Sequence, residues 1–211
     1  MSKKNKLELI KNGTGIDTKF YSYSKIKNGK IFLFLGRYMP SKGILEFCEA
    51  AKYLKKNDDS LTFMCAGNYD KNDKSLVLKS KLKGYKKYVS FYYNVKDIRK
   101  LIKKSTCVVL PSYYNEGLNR SLMESLSMGR PIITSDVPGC LELLDNEKNG
   151  FKIKPKDLKS LTKKITFFLN LKKNIIDKMS KNCRKFIIQN YSDKKIIDKY
   201  LKITDLLWNW K

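Results

Sequence analysis

The sequence predicts a doubly wound α/β sheet, a parallel β-sheet with helices on both faces. Three observations predict it. Continuous apolar runs of strand length recur along the chain, as strands buried on both faces require. Segments with apolar residues at helical spacing alternate with most of these runs. Glycine or proline stands where several of the elements end.

Residues 1–28 form a lead-in or linker remnant with no clear period. Residues 30–35 (KIFLFL) read as the first buried strand, closed by Gly36, with Pro40 to Gly43 as the following loop. A helix follows over 44–55, with Ile44, Phe47, Ala51 and Leu54 on one face. Strands are expected at 61–66, 89–93, 107–110, 132–135 and 150–153. Helices are expected at 75–82, 95–104 and 120–128, the last closed by Gly129 and Pro131. A short helical segment is expected at 141–145, with helices at 158–171 and 175–190. The sheet domain thus covers 29–190, and a C-terminal helix with a tryptophan-containing end occupies 191–211; Trp208 and Trp210 are read as packing residues.

Composition narrows the chemistry. The 211 residues are enough for a proper core. With no histidine, a Ser-His-Asp triad, a Cys-His pair and a histidine zinc site within this chain are excluded. Cys48, Cys65, Cys107, Cys140 and Cys183 show no C-x-x-C spacing and read as buried thiols in a reducing compartment. No apolar run has membrane-spanning length and no signal peptide is evident, so the expected location is cytoplasmic. The net charge of +25 suits phosphate-rich partners. Its lysines are spread along the whole chain, which reads as compositional bias before a dedicated nucleic-acid surface. No specific nucleic-acid partner is expected. Peripheral contact with an anionic membrane is a further reading of the charge.

The richest stretch is 115–133, NEGLNRSLMESLSMGRPII. It follows a strand and opens a helix, where unpaired backbone N–H groups favour a phosphate. Gly117 permits close approach and an unusual φ, and its N–H and that of Leu118 are expected at the helix start. If the intervening residues were helical, Glu116 and Glu124 would lie about 12 Å apart along the axis and about 80° apart around it. They would then grip two parts of an elongated ligand rather than share a proton. Hydroxyls for the carboxylates and phosphate for the amides describe a nucleotide-sugar. Arg37, just past the first strand, and Lys42, before the next helix, are cations suited to a departing diphosphate. Arginines are few, and Arg37, Arg120 and Arg130 all fall in or beside these loops. Asn94 and Val95 could present backbone groups to a nucleobase or form an ordinary turn. The Gly139 to Glu142 stretch reads as a structural turn.

The segments FLGRYMPSKG, VVLPSYYNEGLNRSLMESLSMGRPIITSDVPG and NGFKI, in this order and spacing, resemble the C-terminal, donor-binding domain of retaining GT-B glycosyltransferases of family 4. GTGIDTKF is similar to the stretch that opens that domain. GTGID and VPGC resemble the subset that builds bacterial capsule, O-antigen or polyprenyl-linked glycans. The resemblance covers residues 12–200 and implies a Rossmann-like domain. It implies catalytic roles for Glu116 at the donor sugar and for Arg37 and Lys42 at the diphosphate. Gly117 and Leu118 are implied as backbone donors to phosphate, and Glu124 as the ribose ligand. Gly36, Asn94, Val95, Asn119 and Ser121 are read with them as candidates for the nucleotide-sugar site. No metal or cofactor is implied, and a UDP-sugar is favoured as donor. Asn119 stands where proline is usual, and Leu141 where arginine is common. An N-terminal, acceptor-binding domain is expected as a partner, absent or on another chain. The alternatives are a nucleotide-sugar-binding module without activity of its own and, on charge alone, a nucleic-acid-binding domain.

Overall fold

Six parallel strands form one sheet in the order β3-β2-β1-β4-β5-β6, the doubly wound arrangement that the sequence predicts. The computed structural model describes residues 14–27, 29–115, 117–145 and 147–208, the last four as backbone only. The expectations for Glu116 and for the side chains of Trp208 and Trp210 therefore lie outside the described residues.

The strands are β1 (Ile31–Leu35), β2 (Thr62–Gly67), β3 (Val89–Tyr93), β4 (Cys107–Leu110), β5 (Ile132–Ser135) and β6 (Gly150–Ile153). The central strands are buried almost throughout because helices cover both faces. The helices are α1 (Ile44–Lys55), α2 (Lys79–Lys83), α3 (Arg99–Lys104), α4 (Arg120–Ser127), α5 (Leu158–Leu169), α6 (Lys173–Asn190) and α7 (Asp193–Trp208). Helix α1 packs on α5, while α4 packs on α6 across the sheet. One face of β1 carries Phe32 and Phe34, two residues apart as the pleat requires. Phe32 stacks on Phe63 at 5.4 Å and meets Phe168 of α5 edge-on at 6.1 Å, while Phe34 tilts against Phe47 of α1 at 5.7 Å. Burying each such ring contributes about 1.5–3 kcal/mol.

Three helix starts depend on short polar side chains. The expected helix over 75–82 begins only at Lys79. Asp73 Oδ1 accepts from Ser75 N and Oγ, and Val77 N donates to Tyr38 O, so the preceding residues are held in a turn and then a loop. The helix expected over 95–104 begins at Arg99, whose N–H and guanidinium are taken by Asp97. Helix α4 begins at Arg120, with Asn119 Oδ1 accepting from Leu122 N at 3.1 Å. The residue that departs from the usual proline is thus the helix N-cap. The expected segment 141–145 is a 3₁₀ turn over Leu141–Leu143.

Residues 14–27 lie against the domain. Ile16 bridges in parallel to Ser192, and Arg184 of α6 donates to the carbonyls of Thr18 and Tyr21. Arg130, fully buried, ties Ser24 to the end of α3 and to the turn after α4. It therefore stands before β5, away from the carboxyl ends of the strands, and its grouping with the site arginines is corrected to a structural role. All five cysteines are buried free thiols. No helix among the described residues is long and apolar enough to cross a membrane.

The loops after β1 and β4 are joined. Ser41 O accepts from Tyr113 N at 2.9 Å and from Ser112 Oγ at 3.2 Å. Gly43 has φ of 76°, and a Cβ there would meet Pro111 O at 2.1 Å. Gly43→Ala is expected to cost about 2 kcal/mol or more, through left-handed strain and this clash, read as a lower urea midpoint at unchanged slope. A loss below about 0.5 kcal/mol would refute the close approach.

Candidate functional site

The strand order reverses between β1 and β4, and a doubly wound sheet opens a crevice at such a point. A cleft of about 480 Å³ lies there, lined among others by Tyr21, Gly36, Arg37, Asn68, Ser121 and Glu124. Gly67 makes room for its upper edge, since a Cβ there would meet Gly36 O at 1.8 Å. Tyr38 fixes the neighbouring strand ends, its hydroxyl lying 2.9 Å from Cys65 O and 3.0 Å from Tyr92 O. Burial pushes this phenol far above its ordinary range, so it stays a proton donor.

Glu124 is the buried carboxylate of the cleft, with 8% exposure. Its Oε1 accepts from the Tyr21 hydroxyl at 2.9 Å and from Arg120 Nε at 3.2 Å. Burial raises its pKa above the usual carboxylate value, and the hydrogen bonds from Tyr21 and Arg120 pull the other way. Ser121 Oγ lies 2.8 Å from both Leu35 O and Asn119 Oδ1, which pins the first turn of α4 to the exit of β1.

Arg37 is exposed on the cleft wall. Lys42 does not line this cleft; it ends a 3₁₀ turn over Pro40–Lys42, with its ammonium 5.8 Å from the Tyr114 ring centroid. Burial lowers the Lys42 pKa, and repulsion from Arg37 lowers it further. The two cations thus feel each other across the loop that follows β1.

Other expected positions fall differently. Helix α4 starts at Arg120, so neither Gly117 nor Leu118 is in its first turn, and residues 117–119 are not helical. A Cβ at Gly117 would meet nothing within 4 Å, which leaves the space for the close approach expected of this glycine. Asn94, with φ of 52°, spends its side chain on Tyr69, accepting from Tyr69 N at 2.7 Å and donating to Tyr69 O at 3.0 Å. It lines a neighbouring cleft of about 640 Å³. Val95 lines both clefts. Gly139 is part of a turn, as expected, but its carbonyl accepts from Asn119 N at 3.0 Å, so the turn supports the site. Sequence reasoning missed Tyr21, whereas Asn68 falls in a strand-end loop, 67–70, where a ligand is expected. Tyr21 meets Glu124 across 103 positions, and no local pattern signals such a contact.

A model of the family "Glycosyl transferases group 1" matches residues 16–206. The chain belongs to this family. Among similar curated proteins, the group 1 domain is 32% identical over 186 residues to the Campylobacter jejuni N,N'-diacetylbacillosaminyl-diphospho-undecaprenol alpha-1,3-N-acetylgalactosaminyltransferase, covering 88% of this chain and 47% of that one. It is 31% identical over 176 residues to the Escherichia coli UDP-Gal:alpha-D-GlcNAc-diphosphoundecaprenol alpha-1,3-galactosyltransferase, covering 82% and 44%. The group 1 domain thus spans about half the length of these relatives. Among solved structures, a glycosyltransferase from Rickettsia africae superposes with a TM-score of 0.82 at 20% identity, over 94% of this chain and 57% of that one. An Anabaena protein solved with UDP gives 0.79 at 19% identity, over 90% and 56%. The C-terminal domain of a group 1 protein from Francisella tularensis gives 0.70 at 22% identity, over 85% and 100%. These structural likenesses establish the fold that the group 1 domain shares with them.

Proposed function

We propose that this chain is the donor-binding, C-terminal domain of a retaining GT-B glycosyltransferase of family 4, acting in cell-surface polysaccharide or glycan synthesis. The observation that carries the proposal is the buried Glu124 carboxylate at the strand-order reversal, with Arg37 on the same cleft wall. A carboxylate held as an acceptor suits the vicinal hydroxyls of ribose, and a cation lining the same cleft suits a diphosphate. Glu116 is assigned to the donor sugar, the backbone of Gly117 and Leu118 to the phosphates, and Arg37 with Lys42 to the leaving diphosphate. Val95, together with the backbone of Asn94, faces the base. Gly36, Asn119 and Ser121 frame the nucleotide.

The expected donor is a UDP-sugar, and no metal is required, since the Arg37 and Lys42 charges take the role of countering the leaving group. The full alignment of the Francisella C-terminal domain and the UDP held by the Anabaena protein support this reading. The undecaprenyl diphosphate named for two relatives supports a lipid-linked acceptor, reached by a cytoplasmic protein at an anionic membrane surface. A second domain would supply the acceptor side.

Calorimetry of the 211-residue chain with UDP, GDP and UDP-sugars in the presence of EDTA tests the reading. UDP is expected to bind with a Kd of about 1 μM to 1 mM, more tightly than GDP. Absence of any nucleotide binding refutes the site, and binding that returns only with added divalent ion refutes the metal-free assignment. Because the chain spans about half of its relatives, a second reading is a nucleotide-sugar-binding module; donor binding with no transfer after addition of an acceptor domain favours it.

A further inference from the structure

We propose that Tyr21, on the segment leading into the sheet, is a positioning residue that sets the Glu124 carboxylate for the ribose hydroxyls of the donor; the inference rests on the donor-binding reading above. Tyr21 and Glu124 both line the cleft, and the phenol donates to Oε1 at 2.9 Å. Oε2 receives no hydrogen bond among the described residues, so fixing Oε1 leaves the other oxygen for the cleft.

Two groups hold Oε1, and they are unequal. The Arg120 side chain is 67% exposed, so solvent screens its ion pair. Tyr21 is buried, and its hydrogen bond to a buried carboxylate is the stronger constraint. Burial and the neighbouring Glu124 push the phenol up to about 12, so it donates throughout the neutral range.

Tyr21 is itself held from several sides. Its carbonyl accepts from Ser127 Oγ at 2.7 Å and from Arg184 Nη1 at 2.9 Å, and its N–H donates to Asp17 O at 3.0 Å. Its ring meets Phe20 edge-on at 5.0 Å, and Phe20 lies 3.8 Å beneath the Arg99 guanidinium, which Asp97 clamps. Helices α4 and α6 and the start of α3 thus locate one hydroxyl. A tyrosine needed only to fill space would not require its oxygen on the carboxylate.

The test is calorimetry on the 211-residue chain with UDP and with 2′,3′-dideoxyuridine diphosphate, which lacks the ribose hydroxyls. Tyr21→Phe removes only the donor. It is expected to weaken UDP binding about tenfold and dideoxy-UDP binding by less than about twofold. In the Glu124→Gln background, Tyr21→Phe is expected to change UDP affinity by less than about twofold, because the two residues act as one unit. Equal losses on both ligands, or losses that add in the double variant, would mean that Tyr21 acts through general stability and would overturn the inference. Unchanged UDP affinity in Tyr21→Phe overturns it as well. If the unaltered chain binds no UDP, the donor-binding reading itself falls, and this inference with it.

Discussion

Arg37→Ala, in an enzyme that pairs this domain with the acceptor-binding domain proposed above, is expected to lower kcat about 10²–10³-fold. Arg37 stands on the cleft wall, close enough to Lys42 to depress that ammonium's pKa. A diphosphate beside Arg37 is attracted by its charge, and the attraction is greatest when the glycosidic bond breaks and the diphosphate gains negative charge. An interaction that grows in this way lowers kcat when it is removed and moves the donor KM less. Steady-state kinetics with varied donor separates the outcomes. A rise in KM at unchanged kcat would reduce Arg37 to a ground-state contact, and unchanged kcat/KM would remove it from the site.

Arg130→Ala is expected to destabilise the fold by about 3–5 kcal/mol, seen as a fall in the urea midpoint. The guanidinium is fully buried. It donates to Ile102 O at 2.9 Å, Ser24 O at 2.7 Å, Met128 O at 3.0 Å and Lys103 O at 3.0 Å, and to Ser24 Oγ at 2.7 Å. Truncation strands these acceptors and opens a void. Arg130→Lys is expected to rescue little, because an ammonium cannot span a planar fork of acceptors. Burial lowers the Arg130 pKa to about 10. A cation whose folded pKa lies below its unfolded value is disfavoured by the fold while charged, and that disadvantage is relieved only as pH rises through about 10. At neutral pH the hydrogen bonds must therefore outweigh the cost of burying the charge. A loss under about 1 kcal/mol would contradict this account.

Most of the sheet was legible in the sequence because burial on both faces leaves a plain mark. The runs at 89–93, 107–110, 132–135 and 150–153 coincide with strands to the residue, and β1 and β2 differ by one position at most at either end. Helix starts were harder where a short acidic side chain competes with the backbone. Asp73 and Asp97 each delay a helix that hydrophobic spacing alone would begin earlier. Within the site, Arg37 stands just past β1 and Glu124 inside α4, and the cleft brings them together as elements on either side of the strand-order reversal. Their partners were not legible: Tyr21 reaches Glu124 only through the tertiary fold, and Arg130 resembled a site arginine until its carbonyl acceptors were visible. The space expected at Gly117 is present, since a Cβ there would meet nothing within 4 Å.

The bridge between Ile16 and Ser192 has a mechanical meaning. Ile16 N donates to Tyr191 O at 2.9 Å, and Asp193 N donates to Ile16 O at 3.1 Å, so two distant stretches of chain are knotted at one point. Five residues beyond it comes Tyr21, with its hydroxyl on Glu124. One short turn over 18–21 thus has its outer end fixed at the bridge and its inner end fixed on the cleft carboxylate, so those two stretches of chain and the cleft share a single anchor segment.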